Sequence, residues 1–296
     1  MSILMPMSYK KKAVLVMLPS LAGFMLFYTL PFFYSFRYAM TRSVFDASFV
    51  GLGNFGRVLA NDTYMLALGN TVRFTILGVA LIMLFSLFVS FLFSQAGPKY
   101  SPLRAAFIIP MLLPTAGLSL IWRVIFNPDG ALSFSANISS GFWGELVSPQ
   151  LVPLYLMFLW KYCGFNIILI TSAMAGIQTE LYDAARLDGA GLFNIYRRII
   201  IPQIRPVLFF CLILSTVNSF RVFREIYFLF GGDYPPNSVY MIQHFMNNQF
   251  GRLNYQLLSA GAIMFTAIIV ALLSGGMLLW RGRSGLRRFA GGGRRE

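Results

Sequence analysis

Apolar residues in this chain neither alternate nor recur every third or fourth position; they run together in six long stretches. The stretches cover about 13–36, 69–94, 103–126, 151–176, 204–230 and 257–280. Each approaches the ~20 residues a helix needs to cross a bilayer. Inside lipid a spanning backbone must satisfy its own hydrogen bonds, which for isolated stretches of this length means helices. Ala13–Phe36, Leu77–Phe93, Leu151–Ala175 and Leu257–Trp280 are the cleanest. The third stretch contains Pro110 and Pro114, which predict a kink and freed carbonyls. The fifth is apolar over Val207–Phe220 but continues through Arg221, Arg224 and Glu225. The expected fold class is an all-α integral membrane protein. It has six transmembrane helices, with a short polar helix on the cytoplasmic side between the fourth and fifth. A single domain over 13–280 is flanked by tails at 1–12 and 281–296.

Composition agrees: 57% of the 296 residues are hydrophobic and 11% are charged. A net charge of +14 could suggest nucleic acid, but the basic residues flank the apolar runs instead of forming one face. With the N-terminus inside, 15 of the 24 lysines and arginines lie in the inner tails and loops. That is the positive-inside pattern, so both termini are expected to be cytoplasmic. Lys10-Lys11-Lys12 before Ala13–Phe36 resembles a secretory signal, but the apolar run is too long and no Ala-x-Ala site follows. A retained signal anchor is the better reading. The basic end Gly291–Glu296 is expected to lie flexibly on anionic lipid.

The outer loops then hold the turn residues: Gly51-Leu-Gly-Asn54, Asn127-Pro-Asp-Gly130, Gly231-Gly232 and Pro235-Pro236. Cys163 and Cys211 lie within apolar runs and read as small packing residues. One histidine, His244, and ten scattered acids form no metal-ligand pattern, and no paired acids or nucleophile triad marks an enzyme. No Gly-Lys dipeptide occurs, so the chain has no P-loop for ATP.

One polar insertion has organisation of its own. Tyr182-Asp-Ala-Ala-Arg-Leu-Asp-Gly189 continues to Ile199-Ile-Ile-Pro202. Gly189 suits a left-handed helix end, and Pro202 suits the first turn of a new helix. The spacing resembles the coupling loop of ABC-importer permeases: Glu-Ala-Ala, three residues, Gly, nine residues, then Ile-x-Leu-Pro. Asp183 stands for the glutamate and Ile201 for the leucine. The resemblance extends through Val50–Phe55, Leu103–Pro110 with Pro114, Trp122 and Phe126-Asn-Pro128, and Asn218–Ile226 with Gly231-Gly232. It is nearest the carbohydrate, maltose-porter-type, binding-protein-dependent permeases. Gly-Gly-Asp-Tyr-Pro-Pro, followed by Ser238, replaces the usual Gly-Gly-Pro and threonine.

The resemblance implies a multi-pass permease of a bacterial or archaeal cell membrane that forms half of a translocation path by alternating access. It implies as partners a second, homologous permease, two ATPase subunits, an extracellular solute-binding protein and a carbohydrate, most naturally an oligosaccharide. No cofactor is expected on this chain; ATP and Mg belong to the ATPase. Tyr182, Asp183, Ala184, Ala185, Asp188, Gly189, Ile199 and Pro202 become the ATPase-coupling residues. Asp183 is expected to meet a basic ATPase residue, and the small residues to allow close seating.

For the solute path the resemblance points to the fourth and fifth helices and puts Tyr162, Phe165 and Asn218 at wall positions; Lys161, a charge deep in the fourth span, with Asn166 nearby and Arg221 on the fifth, completes the candidate set. Aromatic faces stack on sugar rings, and an amide both donates to and accepts from hydroxyls. Arg221 and Glu225, four apart, are expected to share a face and neutralise each other. Ser86 and Ser90 form a small-x-x-x-small pair suited to close helix contact. Two alternatives remain. A glycerol-phosphate-type importer would use Lys161 and Arg221 on the phosphate. An ion-gradient-driven secondary transporter would need acids within the spans, for which Glu225 is the one candidate.

Overall fold

The structure is a computed structural model that describes residues 9–96 apart from Phe45 and Ala47, then 101–126 and 150–290. The external loop expected at 127–149 and the extreme tails lie outside the described residues. Among the described residues the secondary structure is helical apart from one antiparallel bridge, Thr41 to Phe49.

Among the described residues five helical segments are long and apolar enough to cross a membrane: Val14–Ala39, Asp62–Ala96, Leu151–Ala175, Leu192–Phe230 and Tyr255–Gly275. A sixth arises if the bent pair Pro102–Leu112 and Thr115–Ile125 is one span. These segments overlap the six apolar stretches, the fifth beginning at Leu192 and not near 204, and are numbered the first to sixth spans in chain order with the bent pair as the third. The third is bent by 97°, far more than a kink. Leu113 is extended because the following Pro114 disfavours the helical region for it.

The chain forms two compact units. The first combines residues 1–65 and 246–296. Here the C-terminal part of the first span, Leu30–Ala39, packs on the sixth-span helix, as does the short helix Gly53–Leu59. The loop between them is pinned by buried Asn54, whose Nδ2 donates to Ala39 O at 3.0 Å and Thr41 O at 2.8 Å. Gly51 turns the loop at φ +57°. The Tyr64 hydroxyl donates to Gly261 O at 3.2 Å.

The second unit, residues 66–245, is held by polar rungs between apolar helices. Ser86 and Ser90 are fully buried, and their hydroxyls donate to Cys163 O and Ile167 O of the fourth span at 3.4 and 3.2 Å. Four residues further along one helix meets four further along the other, so second and fourth spans run parallel. Asn166 Nδ2 donates to Ser215 Oγ at 2.8 Å, and Thr75 and Ser219 share a hydrogen bond of 2.9 Å. In lipid such bonds matter because apolar association has no hydrophobic drive; each contributes about 0.6 kcal/mol. Around the rungs Phe74, Ile82, Tyr155, Phe158, Ile167 and Ile226 form the apolar core, with Phe74 stacked on Tyr155 at 4.8 Å.

The broken third span seats on the fourth at Gly164. A Cβ there would overlap the Phe107 carbonyl. Pro110 has no amide to offer that carbonyl, and Met111 N bonds Ile108 O instead. Near the start of the second span, Asn70 Nδ2 donates to Asn237 O and Tyr240 O at 2.7 and 3.0 Å. Thr71 Oγ1 accepts from Ile242 N at 2.9 Å, capping the helix Ile242–Gly251 from another element. In that helix His244 is buried, and its Nδ1 accepts from Met241 N.

Candidate functional site

The polar insertion folds as a helix, Thr179–Leu187, an elbow, and a return through Leu192–Ile195 and a π-helical turn, Tyr196–Ile200, into the fifth-span helix Ile201–Phe220. Gly189 sits at φ +75°. Its N–H donates to Arg186 O at 3.0 Å, and Ala190 N donates to Ala185 O at 2.9 Å. That pair of bonds is a Schellman closure, which satisfies carbonyls the helix end would leave bare. Pro202 stands in the first turn of the next helix, as its missing amide allows.

One face of this insertion is inward. Tyr182, Ala185, Ala190 and Ile199 pack against a core of Ile170, Met174, Ile177, Ile195, Ile200 and Ile204. Burial against this core raises the Tyr182 phenol, so it stays neutral near neutral pH. The other face is open. Asp183, Ala184, Asp188 and Gly189 are exposed, and nothing lies within 4 Å of a Cβ on Gly189. Asp183 approaches Arg186 at 3.8 Å, an exposed i,i+3 pair that leaves its carboxylate accessible.

The segment also exposes apolar side chains that reasoning from the sequence missed, Leu192 and Phe193 of them at the start of the fifth span. Leu187 is 89% exposed and Phe193 72%, with Leu181 and Leu192 also exposed. The signal was present: large apolar residues in a loop otherwise made of charges, which mark an interaction surface when they cluster.

The residues expected along the solute path divide. Lys161, Tyr162 and Asn166 are buried inside the unit; Phe165 and Arg221 are exposed, and Asn218 is half-buried. Lys161 Nζ donates to Glu225 Oε1 at 2.6 Å and to Thr115 Oγ1 at 2.8 Å, and lies 5.3 Å from the Tyr162 ring centroid. The expected pairing of Arg221 with Glu225 is therefore replaced by one between spans. The cause is a break in the fifth span. Ser219 Oγ bonds back to Thr216 O, Arg221 N and Val222 N form tight turns, and a new helix starts at Phe223. The break turns Glu225 away from the Arg221 face and into the interior. Glu225 Oε2 and Ser119 Oγ are buried without a protein partner. Among the described residues no group of His, Cys, Asp and Glu could hold a metal.

Residues 95–280 match the family described as binding-protein-dependent transport system inner membrane component. The chain is 27% identical over 274 residues to the arabinooligosaccharides transport system permease protein AraP of Bacillus subtilis, covering 90% of this chain and 87% of that one. It is 28% identical over 268 residues to the trehalose/maltose transport system permease protein MalF of Thermococcus litoralis, covering 88% and 90%. Its fold resembles a chain of a bacterial ABC transporter involved in the import of the acidic polysaccharide alginate. There the TM-score is 0.75 at 18% identity, covering 92% of this chain and 96% of that chain. A helical membrane chain with one organised polar elbow and a match over most of its length thus belongs to the binding-protein-dependent transport system inner membrane component family, as a permease subunit and not an enzyme.

Proposed function

We propose that this chain is one of two homologous permeases in an ATP-driven importer of a carbohydrate, an oligosaccharide in the first instance. An extracellular binding protein delivers the solute, and two ATPase subunits bind beneath the permease pair, one of them at the 178–202 insertion of this chain. Both termini and that insertion are cytoplasmic, six spans cross the membrane, and the chain itself carries no cofactor. The names of the similar permeases support the substrate class, and the charge asymmetry of the loops supports the orientation.

The observation that carries this reading is the two-sided insertion. Its inner face is fastened to the fourth and fifth spans through Tyr182, Ala185 and Ile199. Leu187 and Phe193 are left exposed, as are Asp183, Arg186 and Asp188. A rigid knob packed on two spans passes a push from the ATPase to both as one body. Phe165 and Asn218 form part of the solute wall; Lys161, Tyr162 and Asn166 hold that wall in place from behind. Co-purification tests the docking face. Leu187→Asp with Phe193→Asp is expected to leave the permease inserted and to release the ATPase. Retention of the ATPase by that variant would place the docking surface elsewhere.

A further inference from the structure

Glu225 meets Lys161 ten residues in from the outer end of the fourth-span helix, Leu151–Ala175. At 1.5 Å per residue that is about 15 Å along the helix, and on their own span, Leu192–Phe230, Arg221 and Arg224 lie about 14 and 9 Å in from its end, inside the apolar segment. Arg224 is the neighbour of Glu225, and Arg221 is one turn earlier, bonded to it through the backbone at 3.2 Å. Both arginine side chains are exposed, and neither has an acidic partner among the described residues. The nearby acid is consumed: Glu225 and Lys161 cancel each other behind them. On the helix Thr115–Ile125, Thr115 and Ser119 follow one stripe of the face toward Phe223–Phe230, and exposed Arg123 continues it one turn further out.

A cation at this depth faces water or a partner, not lipid chains. A guanidinium presents a fork of donors that matches a carboxylate or phosphate bidentately. We propose that the carried solute is an anion, a saccharide bearing a carboxylate or phosphate group that Arg221 and Arg224 receive on the break in the fifth span. This rests on the reading of the chain as half of a saccharide path, and it adds a charge requirement to that path. Lys161 takes no part, because its charge is already satisfied. Depth separates this reading from contact with the extracellular binding protein, which meets the surface of the permease.

The test uses the whole importer reconstituted in vesicles with its own binding protein. Uptake of a galacturonate trisaccharide, maltotriose and glycerol 3-phosphate is compared in the native complex, in Arg221→Gln with Arg224→Gln, and in the corresponding double lysine variant. The expected result is uptake of the uronate at least tenfold above maltotriose, falling at least tenfold in the glutamine variant and partly restored by lysine. Preferred uptake of maltotriose, unaffected by the glutamines, overturns the anion proposal and leaves saccharide import standing. Arginine-dependent uptake of glycerol 3-phosphate alone keeps the anion requirement and overturns the saccharide. No uptake of any probe contradicts both. Loss of the second permease from the purified glutamine complex makes the arginines assembly contacts and overturns the proposal.

Discussion

Lys161 and Glu225, 64 residues apart in the chain, meet at 2.6 Å with both side chains more than nine-tenths buried. They join the middle of the fourth span to the short helix beyond the break in the fifth. Burying two charges is costly, and the pair returns that cost only while both members are present. Either Lys161→Met or Glu225→Leu is therefore expected to lower the thermal stability of the purified permease, by about 3–5 kcal/mol of lost stability. Lys161→Met combined with Glu225→Leu should recover most of the loss. A double variant as unstable as the sum of the two would show that the pair is not a self-contained unit.

Gly164 is required for a different reason. Any Cβ would run into the Phe107 carbonyl of the broken third span, which is backbone and cannot rotate away. Gly164→Ala is expected to destabilise by about 1–3 kcal/mol, in the range of overpacked interiors. Gly117→Ala, on a helix where a methyl group meets only ordinary contacts, should be neutral or slightly stabilising. Melting curves of the two variants in detergent decide the point; equal behaviour would mean that the third span does not seat on Gly164.

His244 gives the helix Ile242–Gly251 a pH dependence. Its Nδ1 accepts from Met241 N at 3.1 Å, so Nε2 carries the proton, and Nε2 is buried without a partner. Burial pushes its pKa down to about 4 from 6.5. Above pH 6.5 the ring is neutral whether folded or unfolded, and stability is complete. As pH falls from 6.5 through 4 the unfolded chain takes up a proton that the folded one resists, and up to roughly 3 kcal/mol is lost. His244→Gln should flatten that part of the profile. Thermal unfolding at pH 7, 5.5 and 4.5 measures it, and parallel profiles for the two proteins would contradict the assignment.

Much of the architecture is legible in the sequence, because long apolar runs and proline positions act locally. The six stretches coincide with the spanning segments and the bent pair. The Ser86 and Ser90 spacing anticipates their contacts on the fourth span. Gly189 adopts the left-handed conformation its position suggests. What the sequence does not reveal depends on contacts between helices. Helical spacing pairs Arg221 with Glu225, but a turn at Arg221–Val222 rotates the acid toward Lys161. Likewise Asn166 looks like a wall residue until Ser215 is found across from it. The exposed Leu187 and Phe193 went unnoticed because motif spacing is carried by the small and charged residues around them.

The role proposed for the 178–202 elbow is to pass the work of the ATPase to the spans. Gly189 tests it most directly, because its left-handed backbone closes the elbow and no neighbour within the chain crowds it. An L-residue there costs roughly 1–2 kcal/mol, and a β-branched one is the most strained. The decisive measurement is ATP-driven uptake by the reconstituted importer, read together with ATPase co-purification, for Gly189→Val and Gly189→Ala. The account predicts an inserted valine variant that loses its ATPase or hydrolyses ATP without import, and a milder alanine variant. Normal assembly, hydrolysis and uptake with valine at this position would contradict it.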